Sequence, residues 1–478
     1  MKFKFIHKFL ETKKKSKLKK NFISFLRIFV RQRIFLPFLV YWFEKQLNII
    51  NNVKKKKPIR ILVLHSDRYK NDLNELAKHK NIQLLDFNPN IQPLINMLWI
   101  APITKINWQY YNRGVGYKVS FASSEKVLKK RKLKEREIKL IIKLRKKLRF
   151  FLELFLEKLI RRKNIDAIVS CAFFYPHDQD WAVASSRIKL PFIALHKECL
   201  HDPDTLEVSK KRYLALDYKF KGTKLIVHGG NAKKLFLSSK IAPKDKIVVS
   251  GALRTDHYYK NRYVRRIPKK QITLFSFTHC TGLIVSGINY NSYFFCDNPN
   301  EGFYKYFDLV HYTIAKYAKD NPNIEVWIKP KFMQHWSDRI YTAIKRGGLN
   351  PKNISNLHIS VEKSSEELIN ESAVIVGINS TSLIESKLMK KNVVIPIFAE
   401  AKGKYYKEHV NFKKYFNKAF YIAKSTNKLI KAIDDGINGK LPKQTCPKEL
   451  IYDVYGFFDG KTKERIYKEI NKTIKNNN

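Results

Sequence analysis

"AVIVGINSTSLIESKLMKKNVVIPIF", residues 373–398, changes its local rule three times. "AVIVG" (373–377) is a continuous β-branched apolar run, which suits a strand buried on both faces of a parallel sheet. "INST" follows with small polar residues, whose oxygens can take up the unpaired N–H groups of a helix's first turn. Residues 381–391 then read as a helix, and "VVIPIF" (393–398) as a second apolar strand. Strand, polar loop, helix and strand make a βαβ unit, and that unit requires a parallel sheet.

The same alternation extends in both directions. Towards the N-terminus come "ITLFSFT" (272–278), "IEVWIKP" (324–330) and "LHISV" (357–361); towards the C-terminus comes "AFYIA" (419–423). Helical stretches at 304–320, 336–347, 364–371 and 426–437 separate them. Before "YVRRIPKK" (263–270), a charged stretch that reads as a linker, lies an earlier series. Its strands are "PIRILVLH" (58–65), "IQLLDF" (82–87), "IDAIVSC" (165–171), "LPFIALH" (190–196), "KLIVHG" (224–229) and "KIVVSG" (246–251).

The fold class expected is therefore α/β, with two Rossmann-like doubly wound domains. The expected divisions are a basic amphipathic segment (1–57), a first Rossmann-like acceptor domain (58–262), a second, nucleotide-binding one (271–440), and tail helices (441–478). Residues 125–163 read as a helical insertion with a solvated charged face, carrying Leu144, Leu148, Phe151, Phe155 and Leu159 at helical spacing. Ligands of such sheets bind beyond the carboxyl ends of the strands, and with two domains the expected place is the cleft between them. There is no Walker A or GxGxxG element, and "NRGVGYK" (112–118) follows no strand and reads as a turn.

Composition adds a sign. Lys and Arg number 94 against 41 Asp and Glu, for a net charge of +53 over 478 residues. A field of that sign attracts polyanions: nucleotides, anionic lipid, nucleic acid. Hydrophobic residues at 44% exclude a disordered chain. Five scattered cysteines with no CxxC pair argue against a disulfide framework or a zinc site. No metal is expected, and no cofactor beyond a donor that is itself substrate. The apolar run "IFLPFLVYWF" (34–43) is too short to span a bilayer. With the basic, aromatic residues before it, the segment suits either packing on the body or lying on an anionic membrane surface. The expected location is cytoplasmic, with the inner face of the plasma membrane within reach of residues 1–57.

Three clusters could carry chemistry. Asn379, Ser380, Thr381 and Ser382 stand where a helix start would seat a phosphate, and Glu385 lies one turn on. Lys329 and Lys331 flank Pro330 at a strand end, and His279 follows "SFT" at another. In "ALHKECLHDPD" (194–204), His196 and Glu198 are candidates for a general base, with His177, Asp178 and Asp180 as rivals.

"LIVHGGNAKKLFLSSKIAPKDKIVVSGALRTD" (225–256), "VWIKPK" (326–331) and "GINSTSLIE" (377–385) resemble elements of GT-B-type enzymes of bacterial surface polysaccharide synthesis. These include capsular glycosyltransferases, CDP-glycerol glycerophosphotransferases and the related UDP-N-acetylglucosamine 2-epimerase fold. The resemblance covers about residues 160–435. It implies that Ser380, Thr381 and Ser382 hold donor phosphates, Glu385 the ribose, and Lys329 the diphosphate, while Glu198 or His196 acts on the acceptor. The glycerophosphotransferases carry a His–Pro after the corresponding lysine; this chain has Pro330 and Lys331 there, which favours sugar transfer. The function expected is a nucleotide-sugar-dependent glycosyltransferase with a surface polysaccharide or lipid-linked glycan as acceptor. The alternatives are a CDP-polyol (glycerol or ribitol) phosphotransferase or an epimerase of the same fold, or a non-enzymatic nucleic-acid-binding protein. The last would concentrate its charge on a recognisable module, and the charge here is spread along the chain.

Overall fold

The structure, a computed structural model, describes residues 36–45, 47–54, 57–87, 135–173, 178–197, 199–216, 219–262, 269–278, 302–331, 335–403 and 409–477. The expectations for residues 1–35, the turn at 112–118, most of the linker, His177, Glu198 and His279 lie outside these residues.

Two sheets carry the molecule. The first contains β1 (Leu47–Ile49), β2 (Ile59–Leu64), β3 (Ile82–Phe87), β4 (Ala167–Ser170), β5 (Phe192–His196), β6 (Lys224–Val227) and β7 (Ile247–Val249). Its spatial order is β1-β3-β2-β4-β5-β6-β7. The run from β3 through β2 and β4 to β5 is parallel, and β1 closes that edge antiparallel to β3. This short edge strand stands inside the N-terminal segment, where the apolar pattern is too brief to announce it.

The second sheet is parallel throughout. It contains β8 (Gln271–Phe275), β9 (Glu325–Lys329), β10 (Leu357–Ile359), β11 (Val374–Gly377), β12 (Asn392–Pro396) and β13 (Tyr421–Ala423), in the order β10-β9-β8-β11-β12-β13. The expected fold class is thus what the structure has: two mostly parallel sheets in an α/β chain. In each sheet the winding reverses once, between β2 and β4 in the first and between β8 and β11 in the second.

In chain order, the helices are α1 (Leu36–Glu44), α2 (Lys70–Ala77), α3 (Glu135–Lys163), α4 (Asp178–Arg187), α5 (Leu206–Leu216), α6 (Gly230–Ser238) and α7 (Leu253–Asn261). They continue with α8 (Tyr304–Asp320), α9 (His335–Arg346), α10 (Ser365–Glu371), α11 (Thr381–Leu388), α12 (Thr426–Ile437), α13 (Lys448–Tyr455) and α14 (Thr462–Lys475). Among these helices none is long and apolar enough to cross a membrane.

Packing divides the chain into two compact units. One comprises Met1–His196, Leu216–Ile226 and Ile466–Asn478; the other comprises Lys197–Ala215 and Val227–Arg465. The boundaries follow contacts rather than chain order, so the loop after β5 belongs to the second unit. The core of that unit joins β8, β9, β11 and β12 to α8, α9, α11 and α12, and α13 enters it through Leu450, Val454 and Tyr455.

One close approach sets the entry to α11. A Cβ on Gly377, the last residue of β11, would stand 3.1 Å from Leu383 Cδ2 and 3.2 Å from the Phe275 carbonyl oxygen. The helix can therefore start directly over the strand end only because no side chain intervenes. Gly377→Ala is expected to cost about 1–3 kcal/mol through overpacking, read as a lower thermal midpoint.

Candidate functional site

Ligands of open α/β sheets bind where the winding reverses, outside the carboxyl ends of the two strands that part there. In the second unit those strands are β8 and β11, followed by Ser276 and by Ile378-Asn379-Ser380.

Asn379 adopts a left-handed conformation, φ 51°, which asparagine tolerates better than most residues. Its amide clamps a neighbouring loop: Nδ2 donates to the His409 carbonyl at 2.7 Å and Oδ1 accepts from Asn411 N at 2.8 Å. The side chain that looked like a ligand contact is thus spent on holding residues 409–411 beside the helix start. Ser380 is the N-cap of α11, its hydroxyl accepting from Ser382 N at 3.2 Å. Thr381 and Ser382 occupy the first turn, half-buried. The Ser382 carbonyl accepts from Ser386 Oγ at 2.6 Å.

Glu385 is 5% exposed and fully engaged by protein. Its Oε1 accepts from Arg254 Nε and Tyr455 Oη, each at 2.9 Å, and Oε2 accepts from Tyr258 Oη at 3.3 Å. Arg254 also lies over the Tyr455 ring, 5.6 Å from its centroid. Burial, and then the carboxylate charge, push both phenols well above the ordinary tyrosine range, so both remain donors. The carboxylate ties α7, α11 and α13 together.

Beside β11, the end of β8 carries Ser276, the first hydroxyl of "SFT", with a partner that the sequence reading passed over. The half-buried Ser276 meets the buried His311 of α8, with Oγ 2.8 Å from Nε2, while Nδ1 lies 2.7 Å from the Phe307 carbonyl oxygen. A carbonyl only accepts, so Nδ1 carries the proton. Burial lowers the imidazole pKa to about 4, which leaves Nε2 unprotonated near neutrality. The Ser276 hydroxyl therefore donates to His311. Position after a strand was the available signal; the partner, 35 residues away, was not legible.

Lys329, at the end of β9, donates from Nζ to the carbonyls of Val361 at 3.2 Å and Lys363 at 2.5 Å. Burial lowers its pKa. It pins the loop after β10 while standing next to Ser276, whose N–H donates to the Lys329 carbonyl at 3.0 Å. Lys331 is exposed.

The first unit has its own reversal, between β2 and β4. His65 follows β2 with φ 57°, and its Nε2 lies 3.2 Å from Asp178 Oδ1 at the start of α4. The same Oδ1 accepts from Ser170 Oγ at 2.8 Å, at the end of β4. Next to it, Ser66 Oγ donates to Asp86 Oδ2 at 2.5 Å. His65 had been read only as the end of a strand. Of the rivals at α4, Asp180 is held by Arg145 and Arg149 at 3.2 and 2.7 Å, which binds α3 to α4. His196 is fully buried, its ring centroid 4.7 Å from that of Phe173, because the apolar burial of β5 continues through its last residue. It does not stand at an exposed edge.

The loop after β5 contributes a carboxylate instead. Asp202 is fully buried and accepts from Phe412 N at 2.9 Å. Desolvation first, and then the neighbouring Asp204 carboxylate, raise its pKa to about 8. Asp202 and Asn379 thus grip the 409–412 loop from two sides.

No family model matches the chain, and no curated protein does. Among solved structures it is similar to the UDP-GlcNAc 2-epimerase of Neisseria meningitidis, at 11% identity and a TM-score of 0.44 over 87% of this chain and 100% of that one. It is similar to the Methanocaldococcus jannaschii UDP-GlcNAc 2-epimerase at 13% identity and a TM-score of 0.46, over 87% and 99%. It is similar to the wall teichoic acid polymerase TagF at 14% identity and a TM-score of 0.40, over 65% and 74%. The two sheets themselves, rather than these likenesses, define the architecture.

Two outcomes follow from this geometry. Glu385→Ala leaves Arg254 without its carboxylate and is expected to cost about 3–5 kcal/mol, with Glu385→Gln milder, in denaturant titration. Asp202 keeps its proton in the folded protein up to about pH 8 and loses it near 3.8 when unfolded. Its contribution to stability is therefore complete below the unfolded pKa and falls as pH rises towards 8. Asp202→Asn should flatten that part of the pH–stability curve, measured as thermal midpoints at pH 5, 6.5 and 8.5.

Proposed function

We propose that the protein is an enzyme that transfers a sugar from a nucleotide-sugar donor to a surface polysaccharide or lipid-linked glycan. The observation that carries this reading is the convergence of Ser276 and the start of α11 at the one reversal of the second sheet.

In this reading the N-terminal turn of α11 faces the donor diphosphate. A helix start presents N–H groups and a partial positive charge, and both favour the charge that develops on a leaving diphosphate. The hydroxyls of Ser380, Thr381 and Ser382 and the exposed Lys331 add donors of the same sense. Ser276, with its proton committed to His311, offers an acceptor and suits a ligand hydroxyl or base N–H rather than a phosphate oxygen. Glu385, already accepting from three protein donors, serves by fixing where α11 begins rather than by holding ribose.

The first unit handles the acceptor. Asp178 holds the His65 imidazole at the end of β2, which makes that ring the candidate general base of this unit. The anomeric C–O bond to the diphosphate breaks, a new C–O bond to the acceptor forms, and the hydroxyl proton passes to the general base.

A thermal-shift panel of UDP, CDP, CMP, GDP and ADP tests the donor half. One nucleotide at about 100 times its Kd should stabilise the protein by about 2.7 kcal/mol. The shift should shrink in Ser380→Ala and Ser382→Ala, each compared with its own ligand-free midpoint, because loss of a cap lowers that midpoint by itself. A preference for CDP together with polyol-phosphate transfer would replace sugar transfer by the phosphotransferase reading, and no shift with any nucleotide would sink both. For the acceptor half, His65→Gln is expected to lower kcat by about 10²–10⁴-fold while leaving the nucleotide shift intact.

A further inference from the structure

We propose that one face of α3 is a docking surface for an anionic lipid bilayer. Lys139, Ile142, Lys143, Lys146, Lys147 and Phe150 are all exposed and recur at i, i+3, i+4, i+7, i+8 and i+11, one stripe of the helix. The opposite stripe, Leu148, Leu152, Phe155 and Leu159, is buried in the first unit. From Ile138 to Leu152 the sequence contains no Asp or Glu.

The basic residues of this stretch divide by use. Arg145 and Arg149 turn inward to Asp180 and hold the fold. The four lysines face outward, and on the same stripe stand Ile142, 44% exposed, and Phe150, 41% exposed. An ordinary solvated helix face has no need of two large apolar residues in one stripe with four lysines. A bilayer surface offers a partner to both kinds of residue: anionic head groups for the ammoniums and, within about 10 Å, acyl chains for the isoleucine and the phenylalanine. A nucleic-acid duplex would satisfy only the lysines.

The described part of the expected membrane segment at 1–57 packs on the same helix, towards its C-terminal end. α1 packs on α3 through Phe43 and Phe155, with ring centroids 5.4 Å apart, and Glu44 lies 3.0 Å from both Arg162 and Lys163. α1 leaves Phe38 and Tyr41 exposed by 54% and 51%. The surface is independent of the nucleotide reading, since none of its residues takes part in either reversal cluster.

The test is sedimentation of the full-length protein with vesicles of phosphatidylglycerol and phosphatidylcholine, against vesicles of phosphatidylcholine alone. Binding is expected only to the anionic vesicles and should weaken as salt approaches 1 M, where the screening length falls to about 3 Å. Joint substitution K139Q/K143Q/K146Q/K147Q should weaken partitioning by at least ~100-fold with an unchanged thermal midpoint. In a second variant, F150W, the indole emission (taken as the difference from the unsubstituted protein) should shift to the blue on adding anionic vesicles. Retained binding by the quadruple variant overturns the proposal, and so does an F150W emission that does not move. If duplex DNA shifts that emission as vesicles do, the face is a nucleic-acid surface and the bilayer assignment falls.

Discussion

The second unit depends on one buried carboxylate. Glu385 stands at the centre of α11 and accepts from side chains of α7 and α13, which enter the chain about 130 residues before it and 70 after it. A carboxylate so enclosed is tolerable only with its charge paired and its oxygens occupied, and removal of any partner leaves desolvated charge behind. The arrangement therefore fixes the helix along its axis as well as in direction. Because α11 begins directly over the end of β11, where Gly377 admits the close approach, fixing the helix also fixes the polar turn at its start.

Around that turn the supports come from further out. Asn379 holds the 409–411 loop, and the protonated Asp202 grips the same loop at Phe412. Lys329 fastens the loop after β10, and His311 sets the direction of the Ser276 proton. Several residues that look from their type like ligand contacts are thus positioning groups for the few that remain at the strand ends. Such a supporting shell suits the phosphate-binding role proposed for this turn, since a charge is stabilised best by dipoles that do not have to move to meet it. The surface of α3 follows a different rule. Its lysines gain from being exposed, because head groups are mobile partners that demand a field and an apolar ledge rather than a fixed geometry.

The strands and helices were legible in the sequence almost wherever the apolar period was long. Every strand from β2 to β13 coincides with a run read as a strand, β8 and β12 starting one residue before it, and α8, α9, α10, α11 and α12 match their predicted stretches to within a few residues. The exception, β1, is a largely exposed edge strand with Asn48 at its centre, so it shows no apolar run. The switch-point turn at 377–382 was legible as well, because a strand, a glycine, small polar residues and a helix are a local pattern.

The roles of the site residues were not local, and the sequence left them open. Glu385 read as a ribose contact because nothing in "STSLIE" shows that Arg254, Tyr258 and Tyr455 will surround it. His196 read as an edge residue because a histidine ends an apolar run, yet packing buries it beside Phe173. His65 went unremarked until Asp178, more than a hundred residues later, came within 3.2 Å. By itself the sequence determined the two wound sheets, their order of elements and the place of one polar turn, since these follow from periodicity over neighbouring residues. Only the tertiary structure decided which carboxylates, imidazoles and hydroxyls meet, because hydrogen bonding acts over about 3 Å in space and is blind to distance along the chain.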